Sequence, residues 1–384
     1  MNLSDFDYDL PQELIAQTPI EPRDHSRILK LDKDSGNIEE SKFYEILDEL
    51  SENDVLVLNK TSVINARLHG YITKNISNSS PLIGGRLGGG FENEREEIRV
   101  EIFLHKQLSE NTWDCLVYPG KKLKPGTKVY FTYSPLPLGE GLGEGALTAT
   151  IKQISDSGRI VEFNKSGTEF LDIIQKLGEI PLPPYIKEKL ENDDRYQTVF
   201  HEVPGSAAAP TASLHFTPEL LQKIQDKGVK IEKVLLHVGL GTFQGVQTED
   251  IRDHNMHSEY IELENDVAER LNTYKSEGKR IIAVGTTAIR VLESFADDTG
   301  KLSPGKTETS IFIYPGYTWK FVDAIITNFH LPKSTLIMLV SSFAGKENTK
   351  KAYEYAIQKA FRFFSFGDAM FIRTPPHPLQ EGEK

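Results

Sequence analysis

A change of hydrophobic period restricts the fold of this chain more than any other feature of its sequence. From Ala66 to Phe163, apolar and polar residues alternate in six short runs separated by turn residues: RLHGYIT, IRVEIFLH, TWDCLVY, KVYFTY, LTATIKQI and RIVEF. Alternation with a period of two is typical of strands that bury one face. Six such strands at this spacing predict a small antiparallel β-barrel or sandwich.

On both sides of that segment, strand-like and helix-like runs alternate instead. The apolar run Asp54–Asn59 predicts a buried strand, Thr217 predicts the start of a helix, and Asn265 begins another helical run. Shorter patterns predict a helix at Gln12–Gln17 and a strand at Ser310–Tyr314. Alternating strands and helices predict a largely parallel or mixed sheet covered by helices.

The predicted fold class is therefore α/β (mixed α+β), with one domain inserted in another. Residues 1–64 and 166–384 form a discontinuous α/β domain, and residues 65–165 form the inserted barrel domain. Two stretches inside the barrel segment, residues 77–96 and 134–146, are rich in Gly and Pro and show no period. They predict flexible insertions at hairpin tips, where extra length costs little closure entropy.

The charge balance bears on the partners of the protein. There are 44 basic and 56 acidic residues, a net charge of −12, which argues against non-specific binding to nucleic acid. Five residues are candidates for a local basic face: Arg23, Arg27, Lys121, Lys122 and Lys124. The alternative interpretation of each is a solvated charge in a turn.

Two further features of composition limit the class of protein. Cys115 is the single cysteine, which excludes an internal disulfide framework and any multi-cysteine metal site. No apolar run approaches the ~18 residues of a membrane span, and the first residues do not resemble a signal peptide. We expect a cytoplasmic protein, without membrane contact and monomeric.

Histidines are concentrated in two dense segments, which we interpret as two walls of one pocket. Six of the ten histidines lie between His201 and His330. The segments are residues 203–259, which are also rich in Gly, Pro, Ser and Thr, and residues 327–336, which also contain Pro, Ser and Thr. Because imidazole changes its charge near neutral pH, this composition favours a polar catalytic cleft.

Individual motifs in these segments allow a functional and a structural interpretation. Gly239 and Gly241 in LLHVGLGTF would let the backbone approach a ligand, or simply form a tight turn. Thr287 stands where a strand passes into a helix, and Arg290 lies one turn further on. Together they predict an anion site, with a helix cap and a surface arginine as the alternative.

Two other motifs carry titratable side chains. His254, His257 and Glu259 in DHNMHSEY suggest a zinc site, although the spacing is not that of a known zinc motif. Glu259 with a neighbouring histidine would equally form a base and its orienting group. In TNFHLPKSTL, Asn328 and His330 follow a predicted strand, which is where open α/β sheets bind ligands. A buried, satisfied histidine is the alternative there.

These motifs, read together, closely resemble a known enzyme family. The chain is similar to the S-adenosylmethionine:tRNA ribosyltransferase-isomerases of queuosine synthesis in nearly all its length, apart from the two glycine-rich stretches. The resemblance is carried by FDYDLPQELIAQTPIEPRDHSRIL, NKTSVINARL, AAAPTASLHF, LLHVGLGTFQ, DHNMHSEY, AVGTTAIRVLES, FIYPGYTWKFVDAIITNFHLPKSTLIMLVSSFAG and FRFFSFGDAMFI. Two positions depart from the family pattern, Ser213 in place of a usual Gly and Gly245 in place of a usual Pro.

The resemblance implies an activity and its substrates. Family members move the ribosyl part of S-adenosylmethionine onto 7-aminomethyl-7-deazaguanine in tRNA and rearrange it to epoxyqueuosine, releasing adenine and methionine. S-adenosylmethionine is then a co-substrate, and neither a metal nor another cofactor is expected. Such chemistry needs a base for the acidified ribose C5′ proton and an acid or strong donor for adenine.

From the resemblance and the residues together we predict a set of site residues. His215, His237 and His330 are expected to include the base and the acid, with Glu259 orienting one of them. The predicted substrate-binding residues are Gly239, Gly241, Thr287, Arg290, Asn328 and Thr211. The predicted tRNA-binding residues are Arg23, Arg27, Lys121, Lys122 and Tyr196.

Two rival functions remain at this point. One is a metal-dependent hydrolase that uses His254, His257 and Glu259. The other is a tRNA-binding module without catalysis. The concentration of His, Glu and Arg beside glycine turns argues against a purely binding role.

Overall fold

The chain forms two compact units. A computed structural model describes residues 1–75, 95–131, 146–156, 158–239, 241 and 245–374. The larger unit comprises Met1–Val63 and Leu182–Lys384, and the smaller unit comprises Ile64–Pro181. The glycine-rich stretches at 77–96 and 134–146 lie almost entirely outside the described residues.

The larger unit is built on a mixed sheet of nine strands. In spatial order they are β16 (Gly305–Thr309), β14 (Glu259–Leu263), β13 (Lys230–Leu236), β3 (Asp54–Asn59), β15 (Arg280–Val284), β17 (Ala324–Asn328), β18 (Ala369–Arg373), β1 (Arg27–Asp32) and β2 (Ile38–Lys42). The four central strands β13, β3, β15 and β17 are parallel. Antiparallel pairing begins where β14 joins β13 and where β18 joins β17. A separate parallel pair joins β4 (Thr61–Val63) to β12 (Val203–Ser206).

Strand β3 shows why the centre of this sheet is apolar on both faces. Its six residues are all buried. Val55 and Val57 belong to one hydrophobic cluster, and Leu56 and Leu58 belong to another. Since successive side chains of a strand point to opposite faces, the two clusters are the cores on the two sides of the sheet.

Helices supply the covering layers of the larger unit. They are α1 (Ile46–Glu49), α3 (Pro218–Asp226), α4 (Asn265–Ser276), α5 (Gly285–Phe295), α6 (Thr335–Ala344) and α7 (Lys346–Gln358). Side chains cap two of them as expected: Thr217 accepts a hydrogen bond from the Leu220 N–H, and Ser334 accepts one from the Ile337 N–H.

The smaller unit is a closed antiparallel barrel of six strands. Around the barrel they are β5 (Arg67–Asn75), β6 (Arg95–Ser109), β7 (Thr112–Tyr118), β10 (Arg159–Phe163), β9 (Leu147–Ile154) and β8 (Lys128–Phe131). The pair Tyr71 and Tyr130 joins β5 to β8 and closes the ring. Gly70 permits this approach, because a Cβ there would lie 2.8 Å from the Val129 side chain. The predicted fold class, a discontinuous α/β domain with an inserted small antiparallel barrel, is confirmed.

The second border between the units lies at residue 181, not at residue 165 as the sequence analysis placed it. Helix α2 (Gly167–Leu177) and the short strand β11 (Gly178–Glu179) belong to the smaller unit. The ring of Phe170 on α2 lies 4.8 Å from that of Phe163 and 6.1 Å from that of Trp113. The helix therefore contributes to the hydrophobic core of the barrel unit.

Two local predictions were wrong, and one strand was missed. Residues 310–314 form no strand; they follow β16, with Ile313 buried and its apolar neighbours packed against the core without a ladder partner. Gln12–Leu14 is only one 3₁₀ turn. Strand β18 was missed because its residues, AMFIR, are buried throughout and so do not alternate.

In the part of the chain that the structure describes, no helix has the length and apolarity to cross a membrane.

Candidate active site

A pocket opens at the carboxyl ends of parallel strands in the larger unit. It encloses about 740 Å³ and is lined by residues that follow β13, β15 and β17, namely Val238, Gly285–Thr287 and Thr327–Leu331. Its remaining lining residues are Tyr185, Tyr196, Ala208–Ala212, Ser334, Leu336, Phe364 and Ser365. Pockets at this edge of parallel sheets bind ligands because loops diverge there.

The amino-terminal end of α5 forms one wall of this pocket. Gly285, with a φ of +82°, turns the chain from β15 into the helix, and Thr286 and Thr287 follow. No side chain caps this helix, and its first turn has no acidic residue. Among the described residues, the buried Oγ1 of Thr287 has no hydrogen-bond partner. Unused N–H groups and a hydroxyl therefore face a site suited to an anion.

Arg290, one turn further along α5, does not line the pocket. It forms a buried ion pair with Glu259, and its Nη2 donates to the Thr309 carbonyl at 3.2 Å. Burial lowers the pKa of Arg290 to about 10, so the guanidinium stays charged at neutral pH. Glu259 also accepts a hydrogen bond from the Gly239 N–H at 2.9 Å. The structure thus brings Glu259, Arg290 and Gly239 together, but away from Thr287's pocket.

His330 lies in the pocket with one ring nitrogen available. Its Nε2 is 2.8 Å from the Thr327 hydroxyl, and its backbone N–H donates to the Tyr353 hydroxyl at 3.0 Å. The Tyr8 hydroxyl donates to its carbonyl. Within the described residues, no hydrogen bond reaches its Nδ1. Burial lowers the pKa of His330 to about 3, so the ring is neutral at pH 7.

Asn328, at the end of β17, is held by side chains on both sides. Its Nδ2 donates to Nε2 of His215 at 3.2 Å, and its Oδ1 accepts from the Thr211 hydroxyl at 2.8 Å. Nδ1 of His215 then donates to the Ser26 hydroxyl at 2.7 Å. Both ring nitrogens of His215 are therefore used within the protein. Burial, and then the charge of Arg362, lower the pKa of His215 to about 3.

His237 lies outside the pocket, although its chain neighbour Val238 lines it. Its Nδ1 is 2.9 Å from the Thr61 hydroxyl, and its ring stacks on Tyr260 with centroids 5.7 Å apart. Gly205 lies against the ring: a Cβ there would be 2.7 Å from the imidazole. Burial lowers the pKa of His237 to about 4, against the opposing charge of Glu262.

The DHNMHSEY motif does not assemble a ligand set. His254 packs edge-on against Phe312, and a Cβ at Gly241 would lie 2.5 Å from the ring of His257. The carboxylate of Glu259 is already paired with Arg290. In the described ranges there is no group of three His, Cys, Asp or Glu residues that could hold a metal ion.

Aromatic residues form a second wall, and part of it was missed by the sequence analysis. Tyr196, which was predicted, is fully buried and lines the pocket with Tyr185. Phe364 and Ser365 were not assigned a role, although FRFFSFGDAMFI was quoted as a motif. The Tyr185 hydroxyl lies 2.7 Å from that of Ser365, and the Phe364 ring lies 4.9 Å from that of Tyr185. The φ of Phe364 is +71°, a strained value for a bulky residue that marks functional sites.

The four predicted basic contacts with tRNA differ in environment. Arg23 donates to the carbonyls of Gln197 at 2.6 Å and Asp194 at 2.8 Å. Arg27 pairs with Glu40 and lies over the ring of Phe361. Lys121 and Lys122 are exposed on the smaller unit.

Ser213, where the sequence departs from the family pattern, is fully buried, and no described residue bonds to its Oγ.

Comparison with known proteins agrees with the resemblance seen in the motifs. The family model described as queuosine biosynthesis protein matches residues 3–372. A protein of Carboxydothermus hydrogenoformans is 50% identical over 372 residues, and one of Desulfitobacterium hafniense is 47% identical over 372 residues. Both are named S-adenosylmethionine:tRNA ribosyltransferase-isomerase, and each match covers 97% of this chain and 100% of the relative.

A solved structure is also similar over the whole chain. The crystal structure of S-adenosylmethionine tRNA ribosyltransferase from Thermotoga maritima is 35% identical, with a TM-score of 0.50, and the match covers 96% of this chain and 100% of that one. A family model that spans nearly the whole chain and relatives near 50% identity leave no ambiguity about ancestry. The chain therefore belongs to the queuosine biosynthesis protein family.

Proposed function

We propose that the protein transfers the ribosyl part of S-adenosylmethionine to 7-aminomethyl-7-deazaguanine in a tRNA and rearranges it to epoxyqueuosine. Adenine and methionine are the products that leave. The single observation that carries this proposal is the pocket lined by His330, whose Nδ1 has no hydrogen-bond partner among the described residues, by an uncapped helix end and by the fixed amide of Asn328. The family and the names of its relatives support the same reaction.

The reaction begins with a proton transfer that the pocket is suited to promote. A sulfonium acidifies the adjacent ribose C5′ protons, so a positioned base can take one and leave an ylide carbon. Adenine leaves from the ribose C1′ with the proton taken from C5′. A C–N bond forms between the aminomethyl nitrogen and the ribosyl group as the C–S bond to methionine breaks, and the nitrogen gives up one proton. A correctly positioned base contributes about 10²–10⁴-fold to such a step.

His330 is the base that this geometry favours. Its ring is neutral at pH 7 because burial lowers its pKa, and a neutral ring can accept a proton. Thr327 holds Nε2, which leaves Nδ1 to meet the substrate. His215 has no such free nitrogen, and His237 does not line the pocket. We assign to His215 the positioning of Asn328.

The other walls of the pocket suit the remaining parts of the substrate. The methionine carboxylate matches the first turn of α5, where N–H groups and the Thr287 hydroxyl are unused. Asn328 has one amide N–H and one acceptor lone pair beyond its two bonds, which suits the edge of a base. Tyr185 offers aromatic surface for a base to contact, and the fully buried Tyr196 lies behind this wall.

The proposal includes no metal or further cofactor. Each step above needs only a proton acceptor, hydrogen-bond donors and a site for an anion. The tRNA contacts that we propose at Arg23, Arg27, Lys121 and Lys122 are few and local. Because the protein carries a net charge of −12, its affinity for tRNA should fall only moderately with added salt.

Release of free adenine tests the proposal. The protein is incubated with S-adenosylmethionine and tRNA that carries 7-aminomethyl-7-deazaguanine, before and after exhaustive chelation. We expect adenine in stoichiometric amount with modified tRNA in both samples. Binding of tRNA without adenine release would favour a binding module, and activity abolished by chelation and restored by a metal would favour the hydrolase class.

A further inference from the structure

A second, smaller pocket lies beside the proposed active site and has a different character. It encloses about 290 Å³ within the larger unit. Two arginines line it, Arg23 and Arg195, together with Ser26 and Ser365. The other lining residues are His215 and apolar or glycine residues, and no Asp or Glu is among them. The charged residues of its lining are therefore both cations.

Arg23 is the stronger indication that this pocket binds an anion. Its guanidinium donates to two backbone carbonyls, those of Gln197 and Asp194, and within the described residues no carboxylate lies in ion-pair distance. Arginine carries five N–H donors, so others remain. Burial, and then the charge of Arg195, lower the pKa of Arg23 to about 10, whereas the carboxylates of Glu21 and Asp194 act in the opposite direction.

Arg195 is only partly neutralised. Its Nε pairs with Glu21 at 2.5 Å, but Glu21 is 66% exposed to solvent, and Nη2 donates to the Ile20 carbonyl. An exposed carboxylate contributes little screening compared with a buried one. The pocket is thus lined by two arginines and by no carboxylate, in a protein whose net charge is −12.

The small pocket shares a wall with the proposed active site. His215 lies in that wall: its Nδ1 bonds to Ser26, which lines the small pocket, and its Nε2 bonds to Asn328, which lines the large one. Ser365 lines both pockets. The two pockets therefore adjoin each other within the larger unit.

We propose that the small pocket binds a phosphodiester group of the RNA substrate, next to the nucleotide that reacts. This inference rests on the proposed function. Arginine forks match the oxygens of a phosphate, and two arginines line this pocket. The methionine carboxylate has its own site at the start of α5, so the anion left to place is one of the tRNA backbone. The small pocket would fix the position of the tRNA backbone while the reacting base binds in the large pocket.

The test compares tRNA affinity and its salt dependence in Arg23→Gln, Arg195→Gln and Arg23→Lys. We expect each glutamine variant to weaken tRNA binding by about tenfold at moderate salt and to reduce the log–log salt slope by roughly one. Arg23→Lys should keep the slope. Arg252→Gln is the control, because Arg252 is exposed, paired with Asp250 and outside both pockets. Unchanged slopes in both glutamine variants would overturn the proposal.

Two further measurements keep the test decisive. Melting temperatures show whether Arg23→Gln has lost its fold; if it has, Arg195→Gln and Arg23→Lys still give an answer. The KM for S-adenosylmethionine should stay unchanged, whereas a rise confined to that KM would place the co-substrate in this pocket and refute a phosphodiester. Wild-type protein that releases no adenine would refute the proposed function, whereas adenine release with unaltered variant slopes would refute the phosphate pocket alone.

Competition at constant ionic strength distinguishes a phosphate group from a carboxylate as the occupant of the small pocket. Inorganic phosphate should raise the KM for tRNA in the wild type and do so less in Arg23→Gln, while methionine at the same concentration should raise it equally in both. Competition by methionine that is lost in Arg23→Gln would identify the occupant as a carboxylate, against the proposal.

Discussion

His330 and His237 follow parallel strands of the same sheet and have nearly the same immediate chemistry. Each ring is neutral, because burial lowers its pKa, and each has a threonine hydroxyl on one nitrogen, Thr327 at 2.8 Å and Thr61 at 2.9 Å. Only His330 lines the pocket. Near His237 it is the next residue, Val238, that does so, because successive side chains of an extended segment point in opposite directions. A displacement of one residue thus decides which imidazole can reach a substrate.

Helix α5 shows the same division over a single turn. Thr287 faces the pocket with an unused hydroxyl, while Arg290 is buried in an ion pair with Glu259. Residues close in sequence therefore have two different roles: some line the pocket, and others form buried contacts that stabilise the protein around it. Four experiments test this difference in roles.

The largest expected effect is on turnover. Replacing His330 with alanine removes the base, and we expect adenine release to fall by about 10²–10⁴-fold in single-turnover assays. His237→Ala is the matched control, since it deletes a similarly bonded imidazole outside the pocket, and should lower the rate less than about tenfold. Equal losses in the two variants would erase the distinction on which the assignment rests.

The next effect is on stability. Arg290→Met removes the guanidinium that balances the charge of the buried Glu259 carboxylate, which should lower the free energy of unfolding by about 3–5 kcal/mol. Urea unfolding measures this change. The double variant with Glu259→Gln should recover part of the loss, because no uncompensated charge then remains. A variant as stable as the wild type would mean that the ion pair of Arg290 and Glu259 does not stabilise the fold around the site.

The dependence of stability on pH tests the buried imidazoles. The pKa is lowered to about 3 for His330 and about 4 for His237, so between these values and ~6.5 the unfolded chain binds more protons than the folded one. Stability is therefore complete above pH ~6.5 and falls as the pH decreases, by up to ~1.4 kcal/mol per pH unit for each histidine.

Calorimetry or urea unfolding measures how the free energy of unfolding changes with pH. The measurements run from about pH 4 to about pH 7, where the histidines are protonated in the unfolded chain only. His330→Asn and His237→Asn should each flatten this slope by a similar amount, in contrast to their different effects on turnover. A slope that neither variant alters would show that these rings titrate normally in the folded protein.

The smallest effect concerns the start of α5. Thr287→Val removes a hydroxyl that has no partner among the described residues, so the free energy of unfolding should change by less than ~1 kcal/mol. The same change should raise the KM for S-adenosylmethionine by about three- to tenfold, as expected for one lost hydrogen bond. Thr286→Val is the neighbouring control. An unchanged KM in Thr287→Val would remove this residue from the carboxylate site.

Local pattern was enough for most of the fold, and its failures have a common cause. The six alternating runs became the six barrel strands, and the apolar run Asp54–Asn59 became β3 with the same bounds. Alternation and capping are properties of neighbouring residues, so they can be read along the chain. Residues 310–314, β18 and the border at residue 181 depend on what each segment packs against, which those patterns do not report.

The site divides along the same line. His330, Asn328, Thr287, Thr211 and Tyr196 were all proposed from sequence, and the structure brings them to one pocket. The same reasoning proposed His237, Gly239, Glu259 and Arg290, which lie elsewhere. Motif and spacing show where a strand ends, but they do not show which of the side chains at that end line the pocket.

By itself the sequence determined the family, the kinds of side chain available for the chemistry, and the order of strands and helices, because these depend on residue identity and local period. Tertiary structure alone decided that Arg290 would bind Glu259 rather than a ligand, that His215 would hold Asn328, and that Phe364 would line the pocket. The physical reason is that hydrogen bonds and burial join residues distant in the chain. Which nitrogen or hydroxyl remains free is settled only once all those partners are in place.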